Sequence, residues 1–146
     1  MYDMSRFLKA QQADYQAALQ EIRMGKKQGH WMWYIFPQLK GLGRSRMAED
    51  YAIADLQEAK AYLENPVLAS RIRELANALL ALPTSDPVLV FGRIDALKLR
   101  SSMTLFDLAS EEEPSLFKKV IEKFYNSQAD QKTLELLDKQ KSDNKG

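Results

Sequence analysis

Apolar positions recur at helical spacing along nearly the whole chain. Phe7, Gln11, Tyr15, Leu19 and Ile22 fall three and four residues apart, which predicts one amphipathic helix ending near Gly25. The side chain of Asp3 or Ser5 is placed to cap its start. Lys26-Lys27-Gln28-Gly29 reads as a turn. The segment that follows, His30 to Phe36, is short and apolar on all sides, so periodicity does not separate a strand from a buried helix. Pro37 ends it, because the residue before a proline is pushed out of the helical region. Gly41-Leu42-Gly43 makes a flexible connection. Ser45 caps a helix through Ile53, with Glu49 and Asp50 placing negative charge near its positive end, and Asp55 caps another ending near Asn65.

Three later starts share one grammar, an Asn or acidic residue at or near the cap and a proline at the first helical position. They are Asn65-Pro66, Asp86-Pro87, and Pro114 after Glu111-Glu112-Glu113. The helix after Pro66 presents Val67, Leu68, Ile72, Leu75, Leu79 and Leu80 and stops before Pro83. The one after Pro114 presents Leu116, Phe117, Val120, Ile121 and Phe124, and a last helix from Asp130 presents Leu134, Leu136 and Leu137. No useful strand alternation and no internal repeat is visible. The pattern predicts an all-α fold: a single compact domain of seven or eight helices over residues 1–138, irregularly packed in an orthogonal or superhelical way. Residues 139–146 are expected to form a charged, frayed tail.

Composition narrows the function without naming it. At 146 residues the chain is long enough to bury its own core. It has no cysteine, which excludes disulfides, thiolate catalysis and cysteine–metal sites. A net charge of +1 gives no field that would favour nucleic acid as a partner. No apolar run approaches the roughly 20 residues of a membrane span, and the N-terminus lacks a secretory pattern, so a cytoplasmic location is expected. No metal site and no cofactor are predicted, since one histidine and no cysteine cannot build a structural zinc site.

Candidate chemistry lies in two places. The first is Gly29–Gln38, which holds both tryptophans, Trp31 and Trp33, and the only histidine, His30. The second is Phe91–Phe106. If a helix runs from Ile94, a wheel of about 100° per residue with Asp95 at zero puts Leu99, Met103 and Phe106 at roughly 20–80°. Ile94, Leu97, Leu105 and Leu108 then fall at roughly 200–280°, and Ala96, Arg100, Thr104 and Asp107 fill the remaining arc as an expected solvent face. Asp95, Lys98 and Ser102 lie between the two apolar stripes. In the plainer reading Asp95 and Lys98 are an ion pair bracing two helices. In the functional reading they floor a pocket, where Lys98 meets a ligand anion and Asp95 orients it or handles a proton.

Glycine stands beside a cation three times, at Gly25-Lys26-Lys27, Gly41–Arg46 and Gly92-Arg93. Such turns commonly do no more than end helices. If they converge, Arg44, Ser45 and Arg93 become an anion clamp, and Trp31 or Trp33 a stacking wall. The spacing fits neither a P-loop nor a dinucleotide fingerprint. His30 is the first candidate for proton transfer, against the commoner role of a hydrogen-bonded core histidine.

Gly29–Gln38, Gly41–Ser45 with Tyr51-Ala52-Ile53, Ala61-Tyr62-Leu63 with Asn65-Pro66, and Phe91–Phe106 occur in this order over roughly residues 3–138. Together they resemble an uncharacterised bacterial all-α domain family often labelled "calpastatin". The resemblance implies a mainly helical single domain and supplies no activity, substrate or cofactor, so no catalytic residue is carried over. The family position before the histidine usually holds Ser or a similar residue, where this chain has Gly29. A calpain inhibitor of that name is disordered and poor in aromatics, unlike this chain.

The function expected is that of a small enzyme or binding domain with a pocket for an anionic, nucleotide-like metabolite. His30, Asp95, Lys98 and Ser102 are its chemical groups, and Trp31, Trp33, Arg44, Ser45 and Arg93 its binding groups. The alternative is a helical protein-interaction module anchored by the aromatic segment.

Overall fold

Side-chain caps start five of the helices where the sequence places them. In the computed structural model, which describes residues 2–145, Ser45 accepts from Ala48 N–H, Asp55 from Glu58 N–H, Asn65 from Val67 and Leu68 N–H, Asp86 from Val88 N–H and Asp130 from Thr133 N–H. Eight helices follow among the described residues: α1 (Ser5–Arg23), α2 (Met32–Ile35), α3 (Arg46–Asp50), α4 (Leu56–Glu64), α5 (Pro66–Leu80), α6 (Pro87–Ala109), α7 (Leu116–Phe124) and α8 (Gln131–Lys145). The fold is all-α, as the sequence predicts.

Details differ in informative ways. The aromatic segment is a single helical turn, α2, too short to show a period. Ser45 caps a helix that ends at Asp50, because Ile53 forms a parallel bridge with Leu39. Pro114 does not open α7; Ser115 does, its hydroxyl accepting from Lys118 N–H while donating to Asp107. The helix from Asp130 continues through Lys145.

Three aromatic groupings hold the helices together. Phe7 of α1, Tyr62 of α4, Phe106 of α6 and Phe117 of α7 form a file with ring centroids 5.3, 4.9 and 5.9 Å apart. All four are completely buried. Tyr34 of α2 meets Tyr51, which reaches Phe7. Trp31, Phe36 and Phe91 form a triad that locks the aromatic segment against the first turn of α6.

α6 is broken at Gly92, whose φ of 80° and ψ of 169° belong to a region open only to glycine. A second helical run therefore begins at Arg93. Its C-terminal half is enclosed by α4, α7 and α8. Its beginning projects, leaving Ile94 72% and Leu97 63% exposed.

That projection corrects the wheel reading. Leu99, Met103 and Phe106 are buried as expected, but of the second stripe only Leu105 is; Ile94, Leu97 and Leu108 face solvent. The expected solvent arc is instead covered by the α7–α8 connection. Tyr125 donates to the carbonyl of Ala96, Arg100 to those of Gln128 and Ala129, and Asp130 N–H to Thr104 Oγ1. Polar side chains there satisfy a loop backbone, which an apolar–polar wheel does not anticipate.

Candidate functional site

The turn after α1 organises the site. α1 ends in a Schellman motif: Gly25 takes φ 78°, Gly25 N–H donates to Ile22 O at 2.8 Å and Lys26 N–H to Glu21 O at 3.0 Å. The chain then turns back, and Lys27 N–H donates to Val90 O at 2.8 Å, tying the turn to α6. Glu21 Oε1 accepts three N–H groups from this turn, Gln28 at 2.7 Å, Gly29 at 2.8 Å and the Trp31 indole at 3.0 Å. Partial burial pushes the Glu21 carboxyl pKa upward, but those donors and the nearby Lys27 outweigh it and leave the pKa below the usual value.

Lys27 stands between two groups of partners. Its ammonium lies 2.9 Å from Asp95 Oδ2, donates to Gly29 O, and sits 4.9 Å from the Trp31 ring centre, with its side chain only 8% exposed. Lys98, one helical turn beyond Asp95, reaches Asp95 Oδ1 at 3.4 Å and lies 5.4 Å from the Trp33 ring centre. Its side chain is 25% exposed. Asp95 is the third residue of the run that starts at Arg93, so its carboxylate faces the positive end of that run. Formal charge is balanced among Glu21, Asp95, Lys27 and Lys98, and exposed Arg93 lies just outside.

The residues singled out in the sequence separate as follows. Asp95, Lys98, Trp31 and Trp33 come together. His30 is exposed and joins them through its neighbour, since the Gly29 carbonyl shares the Lys27 ammonium with Asp95. Ser102 lies one turn below Lys98 on the same face. Its Oγ is the one buried side-chain polar atom among the described residues without a hydrogen-bond partner. Neighbouring Ser101 and Thr104 instead donate to carbonyls four residues back.

Trp31 offers no stacking wall: it is 2% exposed and its indole N–H is taken by Glu21. Arg44 and Ser45 are exposed on the connection before α3, where the Ser45 hydroxyl is occupied as a cap. Trp33 touches that connection only across a crevice of about 20 Å³ lined by Gly41, Gly43 and Ala48, too small for more than one water.

Sequence reasoning missed Lys27 as the partner of Asp95 and Glu21 as the clamp of the turn. Lys27 was visible as a cation beside Gly25, but nothing local aims it at a helix more than sixty residues away. No group of three or more metal-ligating side chains occurs among the described residues.

A family profile described as protein of unknown function (DUF1810) matches residues 1–137. The chain is similar to the crystal structure of the conserved hypothetical protein Rv1873 from Mycobacterium tuberculosis. The two share 40% sequence identity and a TM-score of 0.90, over 93% of this chain and 96% of that one. No curated protein matches.

Proposed function

This chain belongs to the DUF1810 family, whose function is unknown, and we propose that it is a small-molecule binding domain for an anionic ligand carrying a planar ring. One observation carries the reading: Lys98 and Trp33 are a partly exposed cation and ring side by side, fixed on a braced scaffold. Lys27, nearly buried, keeps Asp95 compensated when Lys98 turns to a ligand. Trp33 supplies the ring face, His30 and Arg93 stand at the rim, and the unpartnered Ser102 hydroxyl lies inward of Lys98. Nucleotides fit this chemistry because they join a phosphate to a flat base.

The ligand-binding unit is residues 1–138, with 139–146 a charged extension it does not need. A cytoplasmic location accords with the lack of cysteine and with the absence, among the described residues, of a helix long and apolar enough to cross a membrane. The protein-module reading has less support, since Trp31 and Phe36 are buried and Trp33 is only partly exposed. A disordered calpain inhibitor does not fit a chain with this core.

Tryptophan fluorescence and thermal denaturation with AMP, ADP and inorganic phosphate test the proposal. A binding nucleotide quenches Trp33 and raises Tm, by about 2.7 kcal/mol of stability at a hundredfold excess over Kd. Lys98→Met and Trp33→Leu abolish both effects. No quenching and no Tm rise with any nucleotide overturns it.

A further inference from the structure

A wide, open concavity lies away from the tryptophans. A groove of about 700 Å³ runs beside the end of α1 and along α5, lined by Arg23, Arg73, Glu74, Asn77 and a floor that includes Ala78 and Leu82. Small side chains on α5 make the concavity, and the floor beyond Ala78 is apolar through Ala81, Leu82 and Pro83.

Two arginines, Arg23 and Arg73, stand in the groove, each facing one carboxylate. Glu74 is committed: it accepts the Tyr15 hydroxyl and lies 3.8 Å from Arg23 Nη2. Arg73 lies 3.4 Å from a single Glu112 oxygen and 5.9 Å from the Phe117 ring centre, which braces the guanidinium. Arg73 donates through Nη1 to one Glu112 oxygen and Arg23 lies at long range from one Glu74 oxygen, so neither guanidinium makes the two-pronged pair its fork allows.

Helix C-termini normally repel anions, and both that end here are neutralised. The Schellman motif closes α1, and Gly25 brings that end against Leu82, where an added Cβ would lie 3.9 Å from Leu82 Cδ2. At the end of α5 the Lys123 ammonium donates to the carbonyls of Leu79, Leu80 and Leu82.

We propose that this groove is a second small-molecule site, which takes a carboxylate or phosphate ester with a compact apolar body. The anion sits at Arg23 and Arg73, and the body lies on Ala78, Leu82 and Pro83. This site is independent of the one at Lys98 and Trp33.

Titrating the full ¹⁵N-labelled chain with hexanoate, phenyl phosphate or inorganic phosphate, against matched sodium chloride, tests it by NMR. Expected are saturable shifts at Ser70, Asn77 and Ala78 and at the Arg23 and Arg73 Nε–H groups, with the Trp33 indole unmoved. Tighter hexanoate marks a carboxylate ligand, and tighter phenyl phosphate a phosphate ester. Arg73→Gln weakens binding about tenfold. Ala78→Leu fills the floor but keeps both cations, so it weakens hexanoate and phenyl phosphate while sparing inorganic phosphate. Shifts that never saturate, that match those of sodium chloride, or that saturate with unchanged affinity in folded Arg73→Gln overturn the proposal.

Discussion

Glu21 does more than any other single residue to shape the turn that carries His30. One oxygen gathers two backbone amides and the Trp31 indole, so the turn closes around a charge and not around an apolar contact. Glu21→Gln keeps an acceptor and removes the charge, and costs about 1 kcal/mol at neutral pH. Because the folded pKa of Glu21 lies below its unfolded value, the charge stabilises above the unfolded pKa. That stability is lost as pH falls through the folded pKa. Urea denaturation of the two proteins therefore shows a gap at pH 7 that closes below about pH 4. A gap that is constant with pH would assign the effect to packing.

At the scale of elements, the ends of helices decide how they dock. The C-terminus of α5 has no glycine cap; a lysine from α7 performs that task, its ammonium held by three carbonyls. Lys123→Met removes the shared donor of the Leu80 and Leu82 carbonyls and loosens α7 from α5, at a cost of about 2 kcal/mol read as a lower Tm. Lys123→Arg, which retains the charge, recovers part of it. Helix starts were legible in the sequence because a cap acts over three residues: Asp55, Asn65, Asp86 and Asp130 stand where they were expected. Ser115 was missed because Pro114 beside it carries the stronger proline signal, and the Lys123 cap was missed because its partners lie some forty residues away.

Across the whole molecule, the file from Phe7 through Tyr62 and Phe106 to Phe117 ties α1 and α4 to the consecutive helices α6 and α7. Phe106 occupies the middle of the file, so Phe106→Ala costs about 3–5 kcal/mol, a large share of the stability of a domain this size. Chemical denaturation should show the midpoint falling steeply, and a loss under 1 kcal/mol would mean that the file is not the keystone. The all-α class was readable from period alone. The orientation of α6 was not, since Ile94 and Leu97 look as apolar as Leu99 and only the partner helices decide which are covered. The same limit applied to the site: Asp95 and Lys98 were found as a pair, whereas Lys27 joins them only through the tertiary fold.

The bridge between Leu39 and Ile53 also bears on how freely the chain can vary. Lys40 N–H donates to Ile53 O at 2.8 Å and Ile53 N–H to Gln38 O at 2.9 Å, so the stretch between them leaves and re-enters the body at neighbouring points. α3, inside that stretch, buries none of its side chains. The molecule thus carries a detachable handle, where residues from Gly41 to Asp50 can be exchanged for a graft of another length while the three aromatic groupings of the body stay in register.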